Sequence, residues 1–173
     1  KKSMKERGIW KTARAILRTK LLASSNVVIT GLPRSGTTLV CHLLNQVPNT
    51  IALHEPIRRR LFADPKITLR ETITMFNAMR TSLFVDGTSF SKHIIGAVPE
   101  NNYDITGACK RSDIAKRGIV SFAKPITPDF LLAIKHCSVF TFILPHLTRK
   151  YRCFAVIRNP LAVLASWNST EMA

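Results

Sequence analysis

The sequence predicts an α/β fold of three layers, in which helices cover both faces of a central parallel sheet. Short β-branched and aliphatic runs alternate along the chain with segments of helical periodicity, which is the pattern of repeated βα units. Several of these runs end in polar or charged residues just before a helix start. Parallel strands of such a sheet end together at one edge, and ligands bind outside that edge.

The composition limits the classes of protein to which the chain can belong. Its 173 residues are enough for one domain with a substantial core, and a hydrophobic content of 46% argues against a disordered chain. Lys and Arg number 26 against 10 Asp and Glu, which gives a formal net charge of +16. Such an excess indicates an anionic partner: a nucleic acid, an acidic membrane surface or a polyanionic molecule. No apolar run reaches the roughly 18 residues that a membrane-spanning helix needs.

The cysteines do not form a metal-binding pattern. None of them belongs to a C-x-x-C pair, so no zinc site is predicted. Cys41 lies in a predicted helix and Cys153 in a predicted strand, where reduced core thiols are a simpler interpretation than disulfides. Reduced thiols are typical of a reducing compartment, and a cytoplasmic location is therefore predicted.

Residues 1–25 are predicted to form a basic amphipathic helix ahead of the main domain. Residues 1–20 contain eight basic side chains and one acidic side chain, and their apolar residues recur at helical spacing. We expect the apolar stripe to pack on the domain while the charges face water. Peripheral contact with an acidic membrane is the alternative.

Three elements are predicted in the first part of the domain. Residues 26–31, NVVITG, form a β-branched run that ends in glycine and predicts a strand. Residues 37–47 have helical periodicity, and Pro48 predicts the end of that helix. Residues 50–54, TIALH, predict a second strand.

The stretch 57–129 is less regular. Residues 67–84 place apolar side chains on one helical face and predict a helix. The Gly, Ser, Pro and Asn content predicts loops over residues 86–104, and two prolines predict another break over residues 121–129.

Regular elements return after residue 129. Residues 130–134 and 152–157 predict two more strands of the parallel sheet. Residues 138–147 predict one helix, with Pro145 near its end. Proline suits the first turn of a helix, so a last helix is predicted from Pro160 to residue 167.

The segment GLPRSGTT, residues 31–38, has the features of a phosphate-binding loop. It links a predicted strand to a predicted helix and is bounded by glycines, so backbone N–H groups and the positive end of the helix dipole can meet an anion. Gly31 and Gly36 have the spacing of G-x-x-x-x-G-K-[ST], but Thr37 replaces the lysine and the cation lies inside the loop at Arg34. The loop therefore predicts that the chain binds a phosphate group, which need not belong to ATP. The alternative is a strand-to-helix turn that binds no ligand. The candidate cofactor-binding residues of the loop are Pro33, Arg34, Ser35, Gly36, Thr37 and Thr38.

Four predicted strand ends carry groups suited to a site. They are the loop at Gly31, the pair His54 and Glu55, the pair Lys135 and His136, and finally Arg158. Because the carboxyl ends of parallel strands meet at one edge of a sheet, we expect these groups to lie close together.

Two segments together resemble the sulfotransferases that use 3′-phosphoadenosine-5′-phosphosulfate (PAPS). They are PRSGTT at residues 33–38 and VIRNPLAVLAS at residues 156–166. In that family the first segment cradles the 5′-phosphosulfate, and the second holds the 3′-phosphate with a strand-end Arg and a later Ser. Arg158 and Ser166 stand eight residues apart, as this pattern requires. That spacing lets a guanidinium and a hydroxyl meet one phosphate.

The resemblance implies a P-loop-containing nucleotide hydrolase-like fold and a sulfotransferase domain over residues 26–173. Residues 57–129 have the position of the acceptor-binding insert. Family members continue beyond this point with a loop that closes over the adenosine, so the chain is expected to be C-terminally truncated. The Leu-His-Glu-Pro context at residues 53–56 resembles carbohydrate-type and bacterial members more than the cytosolic small-molecule type.

The resemblance also implies a sulfuryl transfer from PAPS to a hydroxyl or amine acceptor, with sugars and acidic molecules among the acceptors considered. Arg34 would stabilise the transferred group, Lys135 would assist at the bridging oxygen, and Glu55 or His136 would be the general base, with Glu55 favoured. A sulfuryl group carries less charge than a phosphoryl group, so protein cations suffice and no metal is expected. Structural roles are the alternatives: a salt bridge from Glu55 to the arginines at 58–60, and backbone hydrogen bonds for His136.

Two other functions are alternatives to sulfuryl transfer. A P-loop kinase or NTPase is disfavoured by Thr37 and by the lack of an aliphatic strand that ends in Asp. A non-enzymatic module for RNA or acidic lipid would use the positive charge, but the aromatic content is only 8% and no RNA-binding signature is present. No nucleic-acid partner is therefore expected, and no oligomeric state is predicted.

Overall fold

The computed structural model describes residues 25–57, 64–104 and 111–170. Almost all of the predicted N-terminal helix, residues 1–25, lies outside these ranges. The elements, in chain order, are β1 (Asn26–Gly31), α1 (Thr37–Leu44), β2 (Thr50–His54), α2 (Pro65–Asp86), β3 (Thr88–His93), β4 (Lys116–Ser121), β5 (Leu131–Lys135), α3 (Cys137–Phe142), α4 (Leu144–Leu147), β6 (Arg152–Val156) and α5 (Pro160–Asn168). Among the helices of these ranges, none combines the length and the apolar character that crossing a membrane requires.

The main sheet has four parallel strands in the order β2-β5-β1-β6. The β-branched strand β1 lies between β5 and β6, with Ile29 paired to Lys135 on one side and to Phe154 on the other. Beyond β5, the register of β2 pairs His54 with Lys135. All four strands point the same way, so their carboxyl ends lie at one edge of the sheet, as the sequence predicted.

The two faces of the sheet bury two separate apolar clusters, which explains the alternation along each strand. One face contributes Val28, Ile51, Leu53, Leu132 and Ile134 to a cluster completed by residues of α2, α3 and α4. The other face contributes Val27, Ile29, Ala52 and Ala133, which pack with Cys41 of α1. Helices therefore cover both faces, and the predicted three-layer α/β fold is confirmed for the described residues.

The first helix ends three residues earlier than predicted, at Leu44 rather than at residue 47. Its last turn is replaced by side-chain contacts to the next strand. Asn45 donates to the carbonyl of Ala52 at 2.9 Å and accepts from the N–H of Ala52 at 2.8 Å. The Lys124 ammonium donates to three carbonyl oxygens around this turn, at 2.6 to 2.9 Å. These long-range bonds satisfy carbonyl groups that a helix end leaves without partners.

The single helix predicted over residues 138–147 is wrong. The chain forms two short helices, α3 and α4, that meet at Ile143. Pro145 has no N–H to donate to the carbonyl four residues earlier, so a continuous helix would lose that bond and clash with the proline ring.

The loops predicted over residues 86–104 are also partly wrong, because residues 88–93 form strand β3, which pairs with β4 in an antiparallel hairpin. The buried positions of β3 are Ser89 and Ser91, not apolar residues, so the strand lacks the usual alternation. Tertiary contacts supply what the pattern lacks: Phe90 is paired with Ile119, and the N–H of His54 donates to Ser91 Oγ at 2.9 Å. The hairpin is thus attached to the carboxyl end of β2.

Residues of the stretch 57–129 contribute to two different parts of the fold. Helix α2 belongs to the main core through Phe76, Met79 and Leu83, whereas the hairpin lies at the edge of the sheet where the strands end. Asp64 starts this helix by accepting from the N–H groups of its first turn, with Pro65 at the first position.

Arg80 of α2 is a completely buried cation at the opposite end of the sheet. Its guanidinium donates twice to Asn26 Oδ1, at 2.8 and 2.9 Å, and to the carbonyl of Phe130 at 2.9 Å. It also lies 4.3 Å from the centre of the Phe130 ring. Burial lowers the pKa of Arg80 to about 10, which leaves it charged at neutral pH. This one side chain ties α2 to the beginnings of β1 and β5.

We expect Arg80→Met to lower the free energy of unfolding by about 3 kcal/mol, because it leaves buried acceptors without donors. Denaturant unfolding measures this loss. The matched control is Arg70→Met, on an exposed position of the same helix, which should stay within about 0.5 kcal/mol of the wild type. Equal losses in the two variants would contradict the role assigned to Arg80.

Candidate active site

The loop between β1 and α1 has the backbone that an anion site requires. Arg34 and Gly36 adopt left-handed conformations, with φ of 70° and 99°. Gly31 has a φ of 144°, and a Cβ there would lie 2.6 Å from the carbonyl oxygen of Val156. A glycine is therefore needed at position 31 by both conformation and space. Gly36 precedes α1 without a capping side chain, so the N–H groups of the first turn face the loop.

Ser35 gives an independent indication that the loop binds a ligand. Its side-chain hydroxyl is buried and has no hydrogen-bond partner among the described residues. Buried hydroxyls are normally paired, and an unpaired one costs free energy. The residue also lines a cavity of about 250 Å³ that Gly31 and Arg158 border. An orphaned donor, a left-handed loop and an uncapped helix start fit the oxygen atoms of a phosphate or sulfate group.

The two segments that resemble the sulfotransferases meet at Arg34. Its Nε donates to Ser166 Oγ of α5 at 2.9 Å, and Arg158 donates from a terminal nitrogen to the carbonyl of Arg34 at 3.1 Å. The indole N–H of Trp167 donates to the carbonyl of Pro33 at 3.0 Å. The loop and the later strand-helix unit, which are more than 100 residues apart in the chain, therefore form one site.

Glu55 and Lys135 form an ion pair at the ends of the neighbouring strands β2 and β5. The Lys135 ammonium donates to Glu55 Oε1 at 2.7 Å and is only 3% exposed. The backbone N–H of Glu55 also donates to the carbonyl of Lys135, at 2.8 Å. Glu55 has a φ of 41°, a left-handed conformation that is uncommon outside glycine and that turns the chain out of the strand.

The hairpin adds two cations to the same carboxylate, and the sequence patterns did not predict them. Lys92 of β3 lies 3.5 Å from Glu55 Oε2, and Arg117 of β4 lies 3.9 Å from the same oxygen. Arg117 also donates to the carbonyl of Glu55 at 3.0 Å, while Lys92 pairs with Asp113 at 2.6 Å. Lys92 lies in a stretch for which loops were predicted, and no strand was predicted around Arg117, so nothing in the pattern indicated that these cations reach the end of β2.

His136 is placed beside the site but is engaged in holding the fold. Its Nδ1 accepts from the N–H of Val139 and caps α3, and its Nε2 lies 3.3 Å from the carbonyl of Ile57. Burial lowers its pKa to about 4, so the ring is neutral at physiological pH. Both ring nitrogens face backbone groups, in agreement with the structural alternative for this residue.

The remaining loop residues differ in exposure. Pro33 is exposed, Thr38 is half-buried, and the buried Thr37 hydroxyl lies 3.4 Å from Cys137 Sγ. The arginines at 58–60, predicted as an alternative partner for Glu55, lie outside the described residues. Within residues 25–57, 64–104 and 111–170, no three His, Cys, Asp or Glu side chains are grouped as ligands of a metal would be.

A family model described as a sulfotransferase domain matches residues 24–172. The chain belongs to the sulfotransferase domain family. A search of curated proteins and a search of solved structures found no match. The resemblance predicted from residues 33–38 and 156–166 is confirmed at the level of the family, and with it the transferase activity and sulfuryl transfer. Neither the kinase alternative nor the polyanion-binding alternative receives support.

Electrostatics keep both members of the central ion pair of this sulfotransferase charged. Burial alone would raise the pKa of Glu55, but the Lys135 ammonium outweighs it and holds that pKa well below its usual range. Burial alone would lower the pKa of Lys135, but the Glu55 carboxylate outweighs that effect and raises it. The pair therefore persists across the neutral range, with Glu55 as a carboxylate and Lys135 as an ammonium.

The ion pair predicts a specific acid dependence of the stability of the sulfotransferase. Because the folded pKa of Glu55 lies below its ordinary value of 4.5, the pair stabilises the folded chain above that pH. This stabilisation is lost as the pH falls from 4.5 towards the folded pKa. Glu55→Gln should remove this part of the acid dependence and cost about 3 kcal/mol at neutral pH, since Lys135 remains buried without its carboxylate.

Denaturant unfolding at a series of pH values, from neutral to acidic, measures both effects. Glu71→Gln is the matched control, because Glu71 is an exposed carboxylate on α2 and its removal should leave the acid dependence unchanged. An acid slope in Glu55→Gln as steep as that of the wild type would contradict the importance of the pair.

Proposed function

We propose that the chain binds PAPS at the edge where the four parallel strands end and transfers its sulfuryl group to a hydroxyl or amine acceptor. The observation that supports this most strongly is the junction at Arg34. A phosphate-binding loop and the Arg158–Ser166 unit are joined there by direct hydrogen bonds. The proton-accepting and cationic groups of Glu55 and Lys135 stand at the next strand ends.

The loop residues 33–38 would hold the 5′ end of the donor, and Arg158 with Ser166 would hold its 3′-phosphate. The donor supplies an activated sulfuryl group. The unpaired hydroxyl of Ser35 and the N–H groups at the start of α1 are suited to its anionic oxygens. Arg34 and Lys135 would stabilise the charge that develops on the transferred group and on the leaving phosphate. These protein cations can meet the modest charge of a sulfuryl group, and the proposal requires no metal ion.

Glu55 is the general base in this proposal. Lys135 occupies Oε1 at 2.7 Å, whereas Oε2 has cations only at 3.5 and 3.9 Å, so Oε2 is the oxygen that takes the proton of the acceptor. If the Lys135 ammonium moved from the Glu55 carboxylate towards the anionic donor, the pKa of Glu55 would rise and Glu55 would become a stronger base. His136 positions the start of α3 in this proposal, because its two ring nitrogens contact the backbone of Val139 and Ile57.

The acceptor in this proposal carries a negative charge near the group that is sulfated. Lys92 and Arg117 bring two cations to the carboxylate that activates the acceptor, and among the described residues Asp113 is the one further carboxylate that pairs with either of them. An acidic sugar or another carboxylate-bearing or phosphate-bearing molecule would complement this surplus. The cytoplasmic location predicted from the cysteines is retained as part of the proposal.

The donor is tested by calorimetric titration with adenosine 3′,5′-bisphosphate and, separately, with Mg-ATP. The bisphosphate should bind without metal and more tightly than Mg-ATP. Arg158→Gln should weaken it by about 10-fold to 100-fold, which corresponds to losing a charge-assisted hydrogen bond of roughly 1.5–3 kcal/mol. Arg149→Gln, at an exposed position before β6, removes the same charge elsewhere and should bind like the wild type. Tighter binding of Mg-ATP than of the bisphosphate would contradict the proposal and support the kinase alternative.

The base is tested by turnover with PAPS and a panel of phenols, sugars and amines, each with and without an added carboxylate or phosphate. Glu55→Gln should lower kcat by about 10²-fold to 10⁴-fold, because general-base catalysis is lost. His136→Asn keeps an oxygen that can cap α3 and should retain most of the activity. If folded His136→Asn lost as much of kcat as Glu55→Gln does, the general base would be assigned to His136 instead of Glu55.

The same panel tests the acceptor class. Lys92→Gln should raise KM for the acidic acceptors more than for their neutral counterparts, with little change in kcat. Equal effects on charged and neutral acceptors would contradict a role of the hairpin cations in acceptor selection.

A further inference from the structure

The segment between β3 and β4 returns to the nucleotide loop and places Tyr103 against it. The residues on either side of the gap at 105–110 form a short antiparallel contact, with Tyr103 bridged to Asp113 and the N–H of Asp104 donating to the carbonyl of Ser112 at 3.1 Å. The guanidinium carbon of Arg34 lies 4.1 Å from the centre of the Tyr103 ring. A cation at this distance from an aromatic face is attracted to it.

Arg111, from the same segment, is attached to the last turn of α5. Its backbone N–H donates to the carbonyl of Ser169 at 3.0 Å, and its Nη2 donates to Ser169 Oγ at 3.1 Å. Ser169 Oγ donates in turn to the carbonyl of Ser166 at 3.0 Å. Arg111 is therefore connected through one helical turn to Ser166, whose hydroxyl accepts from Arg34 on the other side.

Hydrogen bonds therefore connect three guanidinium groups through the loop and α5. Arg158 donates to Arg34, Arg34 donates to Ser166, and Arg111 donates to Ser169, the residue that follows α5. The charges of Arg111 and Arg158 both act on Arg34 and oppose its protonation, although burial is the larger cause of its lowered pKa. Two of the nitrogens of Arg111, Nε and Nη1, have no hydrogen-bond partner among the described residues. A group of like charges with unused donors is stabilised by a multiply charged anion, and a planar guanidinium suits phosphate oxygens.

We propose that Arg111 is a further donor-binding residue, whose guanidinium joins Arg158 and Ser166 on the 3′-phosphate of the nucleotide. This inference rests on the proposed function and adds to it a residue from the segment between β3 and β4. Arg111 lies outside both of the segments that identified the nucleotide site in the sequence. Its link to Ser169 fixes the guanidinium beside α5, and its remaining donors are available to the phosphate monoester.

The test compares two nucleotides that differ only in the 3′-phosphate, adenosine 3′,5′-bisphosphate and adenosine 5′-monophosphate. Their dissociation constants are measured by calorimetry for the wild type, Arg111→Gln and Arg111→Lys. We expect Arg111→Gln to weaken the bisphosphate by about 10-fold to 100-fold, as for the loss of a charged hydrogen bond, and to leave the monophosphate unchanged. Arg111→Lys should have an intermediate effect, because lysine keeps the charge but not the planar fork.

Arg149→Gln is the matched control, since it removes an exposed arginine from the turn before β6 and should bind both nucleotides like the wild type.

Equal weakening of both nucleotides in Arg111→Gln would mean that Arg111 only supports α5, and unchanged binding of both would mean that it does not reach the phosphate. Either result overturns the inference while the proposed function stands. Arg111→Lys provides the same comparison if the Gln variant does not fold. A wild type that fails to prefer the bisphosphate would instead overturn the proposed function, and this inference with it.

Discussion

The ion pair between Lys135 and Glu55 is the interaction on which the site depends. It joins the carboxyl ends of two neighbouring strands, with a nearly inaccessible ammonium 2.7 Å from the carboxylate. A buried charge needs a charged partner, so each residue holds the other at this edge of the sheet. The same pairing keeps the carboxylate ionised, which is the form that can accept a proton. The stability of this edge of the sheet and the ionisation of its carboxylate therefore share one physical origin.

Arg34 has a similar role on the other side of the site. Its side chain contacts Ser166 and Tyr103, and its carbonyl accepts from Arg158. The left-handed backbone at this position directs the side chain away from the strand, towards α5. The loop is thereby held between the main sheet and the segment that follows the hairpin. A preorganised loop of this kind favours anion binding, because its N–H groups need little reordering when the ligand arrives.

The parallel sheet and the glycine-bounded turn from β1 to α1 could be predicted because their signals are local. A strand such as residues 26–31 needs only its β-branched run and its terminal glycine to be recognised. The hairpin could not be predicted in this way. The buried positions of β3 are serines, and Ser91 is held by a hydrogen bond from the backbone N–H of His54 rather than by apolar packing. The cations Lys92 and Arg117 were missed for the same reason, since they belong to strands that only a distant partner stabilises.

The sequence by itself determined the family of the chain, the order of its parallel strands along the chain, and the groups at their ends. Each of these depends on residues within one strand, loop and helix, such as Arg158 and Ser166. Only the tertiary structure shows how each candidate base is held. His136 and Glu55 are equivalent as strand-end residues in the sequence, but contacts with Val139 and Ile57 engage both ring nitrogens of the histidine. The environment of each group depends on the order of strands in the sheet and on contacts between distant segments, which short-range patterns in a sequence do not contain.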